Sequence, residues 1–353
     1  MGVEIVRYTE EWTAAVREFN LRLRAGGAAE FAFPESSAPG WMPRMELFVA
    51  VEGEAVRGGY ILRRQQFWFA GEVREAAHYR LPMSEGVVNR AYAALGLRLV
   101  RDAVKREPRL YSLGMGGRER PLPRMLERLG WQVCDVPFYF KVAHPYRFLR
   151  QIRVLRTSFA RRLLSDLAAF SGAGWLGLRM AGLTRRVPES KYEAPAAFGA
   201  PEDGVWEHSR DTYAMLAGRD AATIEELYPA CDERFLRVRV GGGWAVALDT
   251  AMHGHKQFGD LRVGTIVDGL APPHGVASVI RAATHMLERR GVDLIVSNQL
   301  HAAWGDALRA AGFRQGASNF LLAVSPALAA STGGADAGEF HVNRGDGAGP
   351  IHL

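Results

Sequence analysis

The chain has 353 residues, 48% of them hydrophobic and 23% charged; this exceeds one ordinary core and excludes wholesale disorder, so two domains are expected. Its formal charge of +6 is uneven: residues 144–186 hold nine arginines against one acid, Asp166, which excludes a basic surface spread over the folded domains. Cys134 and Cys231 stand alone with no C-x-x-C spacing, which excludes a disulfide framework and a thiolate zinc site and fits a reducing cytoplasm.

In chain order, VEIVRYT reads as a first strand. The segment EEWTAAVREFNLRLRAG follows with Trp12, Val16, Phe19, Leu21 and Leu23 spaced as on one helical face and closed by Gly26. From Met45 the pattern turns to β. MELFVAVEGE, AVRGGYILRRQQFWFAG and EVREAAHYRLPM are rich in Val, Ile, Phe and Tyr, with Glu-Gly and Ala-Gly turn signals between them. They predict an antiparallel meander. SEGVVNRAYAALGLRLVRDAVKRE returns to helical spacing, RLYSLGMG is a buried strand, PLPRMLERLG a short helix ended by Gly130, and WQVCDVPFYFKV a closing strand.

A weaker copy of this order follows residue 200, and RMLERLGW matches DALRAAGF at an offset of about 180 residues, a domain length rather than a solenoid period. The expected organisation is a first domain over 1–143, a basic helical linker over 144–202, a second domain over 203–325 and a flexible tail over 326–353. In the linker Phe148, Ile152, Leu155, Phe159, Leu163 and Leu167 recur at steps of three and four among the arginines. Three readings fit it: an interdomain helix with solvated arginines, a helix on an anionic membrane surface, or a site for an anionic ligand or RNA. No nucleic-acid-binding motif accompanies it, and no DNA partner is expected.

The order β-α-β-β-β-α-β-α-β, with a short helix ending in Gly-Trp or Gly-Phe before the last strand, resembles the GNAT superfamily of acyl-CoA-dependent N-acyltransferases. The resemblance covers most of residues 1–143 and 203–325. It implies an α/β (α+β) chain of two GNAT-like domains, each a mixed, mostly antiparallel sheet flanked by helices. The tandem layout is also similar to GNAT-like proteins of envelope and exopolysaccharide synthesis and, more distantly, to the FemAB peptidyltransferases.

In that family the fourth and fifth strands splay around an acyl thioester, and backbone N–H groups at the start of the next helix bind the pyrophosphate, as a helix N-terminus can. Carried onto this chain, acetyl-CoA or another acyl-CoA would meet Tyr79, Leu81 and Met83 on the fourth strand and Gly86, Val87, Val88, Asn89 and Arg90 before the helix. The family's loop, R/Q-x-x-G-x-G/A, is incomplete in both halves: SEGVVNRAYAALG keeps Gly86 and PPHGVASVIRAA keeps Gly275.

Acyl transfer to an amine needs a proton acceptor and oxyanion donors, but no covalent nucleophile. Glu85, where strand gives way to helix, is the candidate base, or an acid favoured by the helix dipole. Glu72 and Glu75 flank the same strand. Tyr139, like Tyr79, is a candidate general acid or a packing residue. In the second half Asp268, His274, Asn298 and His301 lie at the mouth of the equivalent cleft, where they bind an amine-bearing acceptor or cap helices. His253 and His255 share a strand face but lack a third ligand, and no metal is expected. Three other readings stay open: aminoacyl-tRNA as donor, clefts that bind without catalysing, and a purely structural role with the clefts closed and without ligand.

Overall fold

The computed structural model describes residues 2–28, 32–33, 44–151 and 187–347. The arginine-rich stretch from 152 to 186, on which the linker-helix, membrane-surface and anion-site readings rest, lies outside the described residues. In chain order the elements are β1 (Glu4–Arg7), α1 (Thr13–Ala25), β2 (Met45–Glu52), β3 (Ala55–Phe69), β4 (Glu72–Ser84), α2 (Leu95–Arg106), β5 (Leu110–Leu113) and α3 (Pro121–Arg128). They continue with β6 (Gln132–Asp135), β7 (Phe138–Val142), α4 (Pro145–Gln151), α5 (Ala200–Ser209), β8 (Met215–Ala217), α6 (Ala221–Leu227), β9 (Leu236–Val240) and β10 (Gly243–Ala251). The last are β11 (Arg262–Leu270), α7 (Val276–Arg289), β12 (Leu294–Asn298), α8 (Ala302–Ala310), β13 (Arg314–Gly316), β14 (Leu321–Val324), α9 (Pro326–Ser331) and β15 (Phe340–His341).

Two compact units result. The first comprises residues 1–134 and 321–334, the second 135–320 and 335–353. The sheet of the first runs β1-β2-β3-β4-β5-β14-β6, and that of the second β13-β7-β12-β11-β10-β9. The sequence order places WQVCDVPFYFKV wholly at the end of the first half. Instead β7 pairs antiparallel with β12, Val142 opposite Leu294, while β14 pairs antiparallel with β5, Leu322 opposite Leu113. β7 and β14 thus each pair with a strand from the other half of the sequence.

The β3–β4 hairpin shows why these residues form the meander. Eleven residue pairs alternate across it, and Ala70 and Gly71 make the two-residue turn with φ of 54° and 78°, the left-handed pair that matches strand twist. On one face Tyr60, Leu62, Ala77 and Tyr79 meet Leu95, Leu99, Val100 and Ala103 of α2 in a buried cluster closed by Leu126 and Trp131. The α2 positions recur at the spacing of one helical stripe. In α1, Val16, Phe19 and Leu23 are buried, but Leu21 is 60% exposed, off the stripe expected of it.

The second unit has its own apolar cluster, in which Val142 and Phe148 join Phe258, Val263, Leu294 and Val296. The segment after residue 326, expected as a loose tail because it is small and polar, is built in through residue 347. Ser325 caps α9 by accepting from the Leu328 N–H, β15 pairs parallel with β8, and Asn343 and Asp346 are buried. Burial of Leu328, Phe340 and Val342 joins these hydrogen bonds in holding it, which an overall small and polar composition does not reveal. No helix among the described residues is long and apolar enough to cross a membrane.

Candidate active site

In the first unit β4 and β5 run parallel but pair only at Ala77–Leu110 and His78–Tyr111. Beyond that point they part. The Leu113 N–H donates to His78 Nε2 at 3.2 Å rather than to a strand carbonyl, and Ser112 Oγ donates to the Tyr79 carbonyl at 3.0 Å. Just past the parting β4 carries an extra residue: Gly59 opposes Met83 and Ile61 opposes Arg80, so Leu81 and Pro82 face a single residue of β3. Leu81 has φ of 43°. Such a bulge bends its strand and leaves backbone unpaired, and is common beside active sites.

Two short 3-10 turns, Glu85–Val87 and Arg90–Tyr92, lead from β4 to α2. Their donors are consumed locally. Gly86 N–H goes to Ser84 Oγ, Val88 and Asn89 N–H to the Glu85 carbonyl, Ala91 N–H to Asn89 Oδ1, and Ala93 N–H to the Arg90 carbonyl. Gly86 is required by packing, since a Cβ there would lie 2.5 Å from the Tyr92 carbonyl oxygen. The expected phosphate loop at Gly86–Asn89 thus has few amides left to offer. Val87 is 61% exposed, Val88 packs over Gly26, and Arg90 is exposed at the second turn.

The open donors lie a turn further on. α2 starts behind Ala94, which caps with no side chain, and Gly96 in its first turn has no atom within 4 Å of where a Cβ would stand. The first-turn amides have no side-chain cap and carry the positive end of the helix dipole. Sequence reading missed Gly96 because the family's glycine was sought next to the strand.

Glu85 is not placed as a base. Its carboxylate is buried and accepts from Arg22 and Arg57, each at 3.3 Å, and Arg57 also bonds Glu52. Tyr92 donates to the same Glu52 at 2.6 Å and lies under the Arg57 guanidinium. With both oxygens engaged, Glu85 ties the turn to α1 and β3. Tyr79 is fully buried, its hydroxyl meets no partner among the described residues, and burial pushes that phenol well above its ordinary pKa. Tyr139 belongs to β7 in the second unit, where its hydroxyl accepts from Arg309 at 3.0 Å. It is therefore not in the same unit as Glu85. Glu75 pairs with Arg64 and Glu72 with Arg74.

The second unit repeats the splay and closes it. β11 and β12 pair from Val263–Leu294 to Ile266–Ser297, and β11 then bulges at Val267. Into the opening comes the segment after β15. Leu300 N–H donates to the Val342 carbonyl, Asn343 Nδ2 donates to Asp268 at 2.8 Å, and Arg344 Nε donates to Asn298 Oδ1 at 2.9 Å. Asp268 also accepts from Tyr228 at 2.7 Å and pairs with Arg219 at 2.9 Å, which reaches Asp346 at 2.5 Å.

Burial works against the charged form of Asp268, but Arg219, Tyr228 and Asn343 outweigh it and hold its pKa below the ordinary value. Asp346, buried beside Asp268, is pushed up. Of the four residues expected to bind an acceptor, Asp268 and Asn298 are thus joined by this internal segment. His301 caps α8 by accepting from the Ala303 N–H, a role expected of Asn298, and burial lowers its pKa. His274 stays apart and exposed before α7. His255 is a turn residue, accepting from the N–H groups of Gln257 and Phe258, and no group of residues suited to hold a metal ion occurs among the described residues.

Comparison with solved structures gives the fold a name. A conserved protein of unknown function from Enterococcus faecalis V583, described as a probable N-acyltransferase, matches with a TM-score of 0.51 at 10% identity over 92% of this chain and 72% of its own. A GCN5-related N-acetyltransferase from Anabaena variabilis ATCC 29413 matches with a TM-score of 0.51 at 10% identity, over 91% and 72%. At this identity the likeness establishes the fold: two mostly antiparallel GNAT-like sheets flanked by helices. No protein-family model and no curated protein sequence matches the chain.

Proposed function

We propose that the chain is an acyl-CoA-dependent N-acyltransferase whose working site lies in the first unit. One observation carries this reading: β4 leaves β5 after His78 and bulges at Leu81, in the same unit as an uncapped α2 N-terminus with open space at Gly96. In the proposed complex the thioester of acetyl-CoA or a related acyl-CoA lies beyond His78. Backbone amides of Leu81 and Met83 flank it, since Pro82 has none to give. The pyrophosphate meets the first turn of α2 with Arg90 nearby.

In the reaction, the acceptor amine attacks the thioester carbonyl carbon. The N–C bond forms, the C–S bond breaks, and the one proton that the nitrogen sheds reaches the departing thiolate by way of solvent, so that coenzyme A leaves as its thiol. Backbone amides at the bulge would steady the oxyanion, and Glu85 would hold the loop in place. The second unit's cleft serves no ligand in this reading, because residues 342–344 occupy it.

Release of free thiol from acetyl-CoA in the presence of an amine panel tests the proposal. Amine-dependent release that disappears in Gly96→Leu is the expected result. No release above the protein-free rate with any amine or acyl chain length would sink it.

A further inference from the structure

The two bulges face opposite circumstances. In the second unit Asp268 follows the bulge, and Arg219, Tyr228 and Asn343 answer its charge. In the first, Arg80 precedes the bulge. Among the described residues no acid answers it: the guanidinium is half-buried and donates to Met45 Sδ at 3.6 Å.

Alternation along β4 puts Arg80 on the face of His78, and His78 stands opposite Arg63 of β3. Arg63 is 2% exposed and donates to Gln65 Oε1 at 2.5 Å. The Tyr111 ring stacks on the His78 imidazole at 4.9 Å. Burial, followed by the influence of Arg80 and Arg63, drives the His78 pKa well below its ordinary value, so the imidazole is neutral and adds no third positive charge. Burial and Arg63 together bring Arg80 down to about 10. Two guanidiniums on one sheet face with a neutral imidazole between them are electrostatically costly, and an arriving oxyanion relieves that cost through charge-assisted hydrogen bonds.

We infer that Arg80 receives an oxyanion, carboxylate or phosphate, carried by the amine acceptor, which makes the substrate class anionic amines. This rests on the first unit being the acyl-transfer site, because Arg80 stands one residue before the β4 bulge and two after the last β4–β5 pair. The planar fork of the guanidinium suits either oxyanion.

The test measures binding directly, by calorimetry without acyl-CoA, so that it does not depend on turnover. The probes are amino acids against their amides, and phosphoethanolamine against ethanolamine. Wild type is expected to bind the members of one pair that carry the oxyanion and not their neutral partners. Arg80→Gln should lose on the order of tenfold to a hundredfold in affinity, as expected for a charge-assisted bond, with partial return in Arg80→Lys. Which pair responds separates carboxylate from phosphate.

Equal binding of charged and neutral partners, a preference that survives Arg80→Gln, or no binding by any oxyanion probe would overturn the inference. Acetyl-CoA is titrated into the same proteins. Loss of acetyl-CoA binding in wild type with the oxyanion preference intact would strike the acyltransferase reading instead.

Discussion

The Asp268 carboxylate accepts from Asn343 Nδ2 at 2.8 Å across 75 residues of sequence, and this bond ties the segment after β15 to the bulged strand β11. The polar lock it belongs to is fully buried. Arg219 bridges Asp268 and Asp346, and Gly345 approaches so closely that a Cβ would lie 2.5 Å from Asp268 Oδ2. Replacing Arg219 with Met should leave two buried carboxylates without their cation and cost about 3–5 kcal/mol. Denaturant unfolding measures it, and a loss under 1 kcal/mol would show that the lock contributes little.

His341 gives this region a pH signature. It is 1% exposed between the rings of Tyr213 and Trp304, and burial, followed by Arg219, lowers its pKa from 6.5 to about 3. A depressed folded value means that its stabilising contribution is present above pH 6.5 and is lost as pH falls from there toward 3. His341→Phe should flatten the stability profile through that window relative to wild type. Parallel profiles of the two proteins would refute the assignment.

The role given to Glu85 is checked by kinetics. As an anchor for the turn, its replacement by Gln should raise KM for acyl-CoA several-fold while kcat changes little, with the pH–rate profile retained. A collapse of kcat together with loss of the basic limb of the profile would restore it as the base.

The hairpin turn offers a stability test away from any site. Ala70 holds φ of 54°, a left-handed conformation that costs a residue with a Cβ roughly 1 kcal/mol. Ala70→Gly should therefore raise the unfolding free energy by about that amount. A fall in stability would mean that backbone entropy outweighs the relieved strain.

Much of the fold was legible because hydrophobic periodicity announces elements one at a time. The strand–helix–meander order, the α2 stripe and the Gly130 stop all follow from local spacing. What spacing does not carry is which edge a strand joins. Phe138–Val142 and Leu321–Val324 are short apolar strands of the same kind, and nothing in either specifies whether it pairs with β5 or with β12.

The site was legible as a region rather than as residues. The positions around Asp268 and Asn298 were found, but their partners, Asn343 and Arg344, come from a stretch whose small polar composition reads as tail. Arg80 went unnoticed because its significance lies in having no acid opposite it among the described residues, a property of packing. Gly96 went unnoticed because two 3-10 turns displace the helix start from Ser84 to Leu95.

The central claim is that the first unit binds acyl-CoA between β4 and β5 with its phosphates at the start of α2. Isothermal titration of acetyl-CoA into wild type, Gly96→Leu and Arg90→Ala tests it most directly. Wild type should bind saturably, with affinity weakened roughly tenfold by loss of the Arg90 charge and abolished in Gly96→Leu, whose thermal stability is retained because that site is open and Leu favours helix over Gly. Undetectable heat with folded wild type, or binding that Gly96→Leu leaves unchanged, would contradict it.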